Sequence, residues 1–458
     1  MTMARSTSML ALVAVALAPA VASADAIDDL APGTWYEIPD TPMRAVCPPD
    51  TKQYEWSYYC NNAILAWGGG AIDTTRGRLI VWGGGHGDYW GNEVYVFDLH
   101  ALEWSRPWGP TPDAQIPSGG THEVYDDGNP GSRHTYSGLV YVPAPHDAMI
   151  SMGGALWQSG FFAAGVWSFS FGDNAWTRLA DGPSAGEGYG DPLVFDPVTG
   201  HVFRRSNQRM LEYDPVSDTF TDRWQSDGGF WASNVAAALD PDARLMIIVG
   251  DGRLDTYDIA TDTYVIDVPI EGADVESVLG GGSPGVAFDG ERFVLWGGGL
   301  EVYTYDPVAS TFALHEMQGD DPGTISASGG AFGRFRYVPT RNVFAWVDTA
   351  DANVFVLRMS EGTGVPPGDD TTGGESGGSD GGADTSTSGT GGSGATTSAT
   401  GPDPTGADPT VAMTTTTADE TTGGAASDDA PSGCGCHAPG PGALASGLFM
   451  PLLWRRRR

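Results

Sequence analysis

The sequence predicts an all-β fold, a ring of six four-stranded blades, on three observations. A single strand–turn–strand, strand–turn–strand unit recurs along the chain. Its sixth copy stops one strand short. The missing strand stands at the opposite end of the ordered region, where it can close the last blade and remove the open edge that a linear array would leave.

The copies are legible in order. Residues 63–108 read ILAWGGGAIDTTRGRLIVWGGG and then NEVYVFDLHALEWSRPW, and residues 135–179 read TYSGLVYVPAPHDAMISMGG and then GVWSFSFGDNAWTRL. The third copy is PLVFDPVTGHVFRRS with RMLEYDPVSDTFTDRW. The fourth is NVAAALDPDARLMIIVG with RLDTYDIATDTYVIDV, and the fifth is PGVAFDGERFVLWGGG with LEVYTYDPVASTFALHEM. FGRFRYVPTRNVFAWV and ANVFVLRMS supply three strands of the sixth. GTWYEIPDTP at residues 33–42 matches the fourth-strand segment AWTRLADGP and is expected to complete it. The spacing is about 54 residues per unit, near the period of about 50 of one class of propeller repeat.

Gly83-Gly84-Gly85, Tyr95 and Trp104 follow the order of a glycine pair, an aromatic and a tryptophan; Gly297-Gly298-Gly299, Tyr305 and Phe312 repeat it with Phe last. On these residues the head resembles the kelch and galactose-oxidase-like β-propellers. Two blades match closely, and blades three and four lack the glycine pair. The stretch 81–99 with the later SRHTY at 132–136 is also similar to a group of bacterial secreted kelch proteins. The glycines are expected to take positive φ at strand ends and to let blades pack closely. They do not cradle phosphate, because no strand–GxxxxGK–helix context exists and no helix is expected.

The flanks carry a different message. Residues 1–24 read as a secretory signal: Arg5, an apolar run at 9–18 too short to span a membrane, and an A-x-A cleavage site at 22–24. Export makes a Cys47–Cys60 disulfide the expected pairing. The head is expected to occupy 25–360. Residues 361–432 are almost entirely Gly, Thr, Ser, Asp and Pro, with no Lys or Arg, and read as a disordered stalk. Residues 433–458 place Cys434 and Cys436 before a short apolar stretch and a run of four arginines. This end resembles the C-terminal sorting signal of myxobacterial surface proteins. The resemblance implies processing at one of the cysteines, a lipid anchor, and display on the cell surface at the outer membrane. The membrane is then touched only through that anchor.

The formal net charge is −35 and almost no lysine is present, which argues against nucleic acid as a partner. A monomer is expected, and no cofactor.

Turns between first and second and between third and fourth strands are short and share one face. Second-to-third loops and inter-blade links are long and irregular and share the other, where function is expected. This placement gathers Asp88, Tyr89, Trp90 and Asn92 beside Arg133, with Trp157 and Gln158 from blade two. Trp231, Asn234 and Arg253 come from blade four, and Arg334 and Arg336 from the innermost strand of blade six. Arginine forks suit carboxylate or sulfate and aromatic faces suit sugar rings, so a carbohydrate, plausibly acidic, or another small anion is the expected ligand of blades one to three. The competing reading pairs each arginine with a nearby carboxylate as ordinary structure.

The alternative from a different class is a polysaccharide lyase. β-Elimination from a uronic acid needs a cation for the carboxylate, a base for the C5 proton and an acid for the leaving oxygen. His86, His134, Tyr136, Tyr189 and Arg205 (or the nearby Arg209) supply those residue types, similar in type to the sets of some propeller-fold lyases. No acidic pair for hydrolysis stands out, sialidase Asp boxes are absent, and no blade carries the cross-linked cysteine of a galactose-oxidase-like copper site. His86 and His134 alone specify no metal.

Overall fold

The computed structural model describes residues 24–85, 88–118, 122–182, 189–206, 209–225 and 234–367. The expected signal at 1–23, His86, Trp231, the expected stalk from 368 onward, Cys434 and Cys436 lie outside these residues.

Six sheets form the ring. Blade 1 is Gly69–Asp73, Arg78–Trp82, Val94–Asp98 and Glu103–Trp108; blade 2 is Leu139–Val142, Ala148–Ser151, Gly165–Ser170 and Ala175–Asp181. Blade 3 is Leu193–Asp196, His201–Arg205, Arg209–Asp214 and Thr219–Gln225; blade 4 is Val235–Asp240, Leu245–Gly250, Arg253–Asp258 and Thr263–Val265. Blade 5 is Gly285–Phe288, Phe293–Trp296, Glu301–Asp306 and Thr311–Glu316. Blade 6 takes Arg336–Val338, Val343–Trp346 and Val354–Arg358 from the end of the head and Thr34–Ile38 from its beginning. Thr34 pairs with Arg358 and Ile38 with Val354, antiparallel and in continuous register. The N-terminal strand closes the ring as the truncated sixth copy predicts.

Each blade is covered on both faces by its neighbours, so its inner strands read as near-continuous apolar runs rather than alternating ones. The core is accordingly divided into inter-blade layers. Trp82, Leu139, Met149 and Trp167 fill the space between blades 1 and 2, and Phe203, Met210, Met246 and Tyr257 that between blades 3 and 4. Where the ring closes, Trp35 packs at 5.4 Å from Trp296 of blade 5 and 6.3 Å from Phe335 of blade 6.

The aspartates that end strands in the repeat build its turns. Asp98, Asp214, Asp258 and Asp306 each accept the backbone N–H two residues on, at 2.8–2.9 Å, and Asp196, Asp240 and Asp289 do the same in first-to-second turns. Part of the chain's acidity is therefore turn chemistry.

Two differences from the sequence expectation stand out. Short helical turns do occur, notably Met43–Val46, Trp56–Tyr59 and Asn62–Leu65 in the link before blade 1, and Glu276–Gly280 before blade 5. Trp56–Tyr59 sits within the loop closed by the Cys47–Cys60 disulfide, Cα atoms 6.0 Å apart, and Met43–Val46 and Asn62–Leu65 flank that loop. The chain also holds blade 6 beyond Ser360, where the stalk was expected to begin. The Asn342 amide donates to Glu361 O at 2.9 Å and Gly362 O at 3.1 Å, and Val365 N donates to Pro339 O at 3.0 Å. Among the described residues no helix is long and apolar enough to cross a membrane.

Because Trp35 is 1% exposed and seals the closing interface, Trp35→Ala should destabilise the head by about 3–5 kcal/mol, measured by urea denaturation. A loss below about 1 kcal/mol would show that the closing strand adds little to the ring.

Candidate functional site

Three segments distant in sequence meet on the loop-rich face: the disulfide-bound link 47–60, the blade 1 loop 83–93 and the blade 2 loop 152–164. Their aromatic side chains form one row. Tyr58 lies edge-on to Tyr59 at 5.0 Å, Tyr59 stacks on Tyr54 at 5.0 Å, Tyr54 meets Trp90 at 4.1 Å, and Trp90 meets Trp157 edge-on at 5.3 Å. Tyr58 is 69% exposed and Tyr59 36%, while Tyr54, Trp90 and Trp157 are half-buried. Phe161, 62% exposed, and the exposed Gln158 belong to the same blade 2 loop.

A buried layer supports this row. Tyr89, expected as a ligand contact, is 1% exposed and packs edge-on against Trp56; its hydroxyl donates to the carboxylate of Glu93, which Tyr95 also reaches at 3.2 Å. Burial holds the Glu93 carboxyl above the usual carboxylate range despite these donors, and its Oε2 has no hydrogen-bond partner among the described residues. Asn92, likewise expected on the surface, is fully buried. Its amide donates to Thr111 Oγ1 at 2.9 Å and Pro130 O at 3.0 Å and accepts from Thr111 N at 2.8 Å, fastening the next inter-blade link. Tyr89 and Asn92 are thus supports, not contacts.

The second group lies at the inner end of the same loops. Arg133–His134 pairs with Ala155–Leu156 in a two-stranded ribbon. His134 Nε2 lies 2.8 Å from Asp88 Oδ2; the ring stacks on Trp67 at 4.8 Å and meets Tyr136 edge-on at 5.9 Å. Tyr136 in turn packs edge-on against Phe332 at 5.4 Å, with Tyr189 beside this cluster. His134 is 1% exposed, whereas Asp88 reaches solvent. Gly85 (φ +76°) and Gly154 (φ +95°) make the ribbon possible: a Cβ on either would overlap the Arg133–His134 backbone. The glycines of the blade 1 loop act in packing, as the sequence suggests.

The acid/base set is only partly assembled. His134 and Tyr136 are neighbours and Tyr189 is close by. Arg205 is held elsewhere, its Nε donating to Tyr264 Oη at 2.7 Å and its guanidinium lying over the Trp224 and Tyr264 rings between blades 3 and 4. His86 lies outside the described residues.

The other arginines are engaged too. Arg253 pairs with Asp255 at 2.9 Å and Arg209 with Asp222 at 3.5 Å, and the buried Arg204 with Asp191 at 2.5 Å. Arg133 is fully buried, lies over Trp82 and has Glu123 at 3.8 Å. Arg334, expected at the rim, is fully buried as well. It donates to Gly330 O and Val347 O at 2.7 Å and to Gly68 O at 3.1 Å, tying blade 6 to the entry of blade 1, and burial lowers its pKa to about 10. Neither Arg133 nor Arg334 offers surface to a ligand. Asn234 is half-buried at the start of blade 4.

The sequence singles out Trp90 and Trp157 but passes over Tyr54, Tyr58 and Tyr59. The YEWSYYC stretch ending in Cys60 is the signal that points to them: four aromatics in a cross-linked link on the functional face. Among the described residues no three His, Cys, Asp or Glu side chains are grouped to hold a metal ion. No protein-family model matches the chain, and no match is found among curated proteins.

The Glu93 geometry has a pH consequence. A carboxyl raised above its unfolded value binds its proton more tightly in the folded state, so it lowers stability as pH rises through the unfolded pKa toward the folded one. Glu93→Gln removes that dependence. It should match the wild type below about pH 4 and become progressively more stable toward neutrality in urea titrations; a variant less stable than wild type at pH 7 would contradict the assignment.

Proposed function

We propose that the propeller is a recognition module that binds a carbohydrate on the loop-rich face, with Tyr54, Tyr59, Trp90 and Trp157 as the stacking platform. The observation that carries this reading is the continuous, partly exposed aromatic row contributed by three separate segments. Exposed apolar patches of this kind, rimmed by polar groups, are where soluble proteins meet partners, and rigid aromatic rings supply contact area at small entropic cost. The platform sits on a disulfide-bound link and a buried Tyr89–Glu93–Tyr95 layer, so it is preorganised. Export, the stalk and the lipid anchor, read from residues outside those described, fit a head displayed at the cell surface. The acidic refinement draws less support, since Arg133, Arg209, Arg253 and Arg334 are occupied by carboxylates or carbonyls.

A lyase is the second reading, favoured by one observation: His134 Nε2 faces Asp88 Oδ2 at 2.8 Å with Tyr136 against its ring. In this reading the Asp fixes the orientation of an imidazole that would move the proton.

Affinity electrophoresis of the full chain in gels carrying neutral β-glucan, xylan, polygalacturonate or alginate tests both. Retardation by at least one polysaccharide is expected, weakened about tenfold in Trp90→Ala and also in Tyr59→Ala, a variant of a more exposed ring. Retardation by none of them would overturn the recognition reading. Ultraviolet-absorbing unsaturated product that disappears in His134→Ala would replace it with the lyase.

A further inference from the structure

A cavity lies on the opposite side of the ring from the aromatic platform. It is a funnel of about 400 Å³ along the central axis, opening among the short first-to-second turns at Pro143, Pro197, Pro241 and Pro339. At the other end hydrogen bonds tie the blades to one another. Tyr136 N donates to Trp67 O at 2.8 Å and Gly70 N to Phe332 O at 2.9 Å; Ser137 Oγ reaches from blade 2 to Val235 O of blade 4 at 2.6 Å.

The funnel walls are apolar. Half-buried Ile72, Phe195, Leu239 and Phe288 line it with Leu139 and Leu193, although short-turn faces are otherwise polar and regular. Six inner strands converging here expose apolar side chains that no neighbouring blade covers.

One cation sits among these walls. Arg336 opens the innermost strand of blade 6; its Nε donates to Gly333 O at 2.9 Å and its Nη2 weakly to Gly70 O at 3.4 Å. No carboxylate pairs with it among the described residues, unlike Arg76, Arg78, Arg244 and Arg292 beside the first-to-second turns of blades 1, 4 and 5. Burial lowers its pKa to about 10. Among the described residues, the only other charged one lining the funnel is Asp242, exposed at the mouth.

We propose that this funnel binds an amphipathic monoanion, a carboxylate with an apolar tail or aryl body, with the acid on Arg336 and the body against the leucines and phenylalanines. The volume is that of a small-molecule site, mostly apolar with one placed polar group. One unpaired guanidinium matches one negative charge, and its remaining Nη protons form the planar fork that carboxylates accept in pairs. A dianion would find no second cation, and the apolar walls exclude a strongly hydrated ligand. This site is independent of the carbohydrate reading, being built from the other face of the ring.

Titration calorimetry of the full chain with octanoate, 1-octanol and octylammonium tests it. Octanoate is expected to bind with one site per chain, 1-octanol at least tenfold more weakly, and octylammonium not at all. Arg336→Gln should reduce octanoate affinity about tenfold or more with little effect on 1-octanol. Leu239→Glu, which places a carboxylate in the half-buried wall, should abolish octanoate binding and keeps the test valid should Arg336→Gln fail to fold. Absence of octanoate binding, equal binding of 1-octanol and octanoate by the wild type, or unchanged octanoate affinity in a folded variant would overturn the proposal.

Discussion

Closure of the ring by a strand from the other end of the chain is the constraint on which the rest of this structure depends. Thr34–Ile38 completes blade 6, and everything that follows blade 5 or precedes blade 1 is organised around that joint. Arg358 stands at one end of this joint: it is 1% exposed, donates to Ile27 O at 2.8 Å and to Arg341 O and Asn342 O at 3.3 Å, and its own carbonyl accepts Gly33 N at 2.8 Å. A buried guanidinium spread over carbonyls from both ends of the head leaves few orphaned backbone acceptors at the seam. Closure also places the link 43–66 directly between blade 6 and blade 1, which is why that link, with its disulfide and its tyrosines, shares a face with loops from blades 1 and 2.

Arginine is used here chiefly as structure. The chain is strongly acidic, yet its acids are not a diffuse surface charge. Many close turns by accepting backbone N–H groups, and others meet arginines across strands, as Asp73 does with Arg76 and Arg78 and Asp196 with Arg244. Arg334 spends its donors on carbonyls of blades 6 and 1. Against this background Arg336 is distinctive, because its partners are two carbonyls and an apolar cavity. The same side-chain type two residues apart is therefore placed in two different surroundings, and local packing decides which.

The ring was legible in the sequence because its signals are local. Asp at a strand end, an apolar run, and an aromatic opening the fourth strand lie within one unit, and the unpaired sixth copy points to GTWYEI as its complement. The site was less legible because its determinants are not. Tyr89 and Asn92 lie in a polar, glycine-rich loop that reads as exposed; burial comes from Trp56 and from residues 111 and 130, which no periodicity associates with them. Arg334 looks like a channel cation until Gly68, 266 residues away, supplies a carbonyl. Tyr54 and Tyr59 escaped notice because the link has no repeat to align. The funnel on the short-turn face is illegible for a related reason: each turn is unremarkable alone, and only six inner strands together make it.

The central claim is that the ring brings segments 47–60, 88–93 and 152–164 into one recognition face. Amide hydrogen exchange of the full chain, with and without a polysaccharide that retards it, tests this most directly. Slower exchange in all three segments together, with the short turns at 240–243 and 289–291 unchanged, is the predicted result. Protection of only one of the three, or protection confined to the short turns, would contradict it.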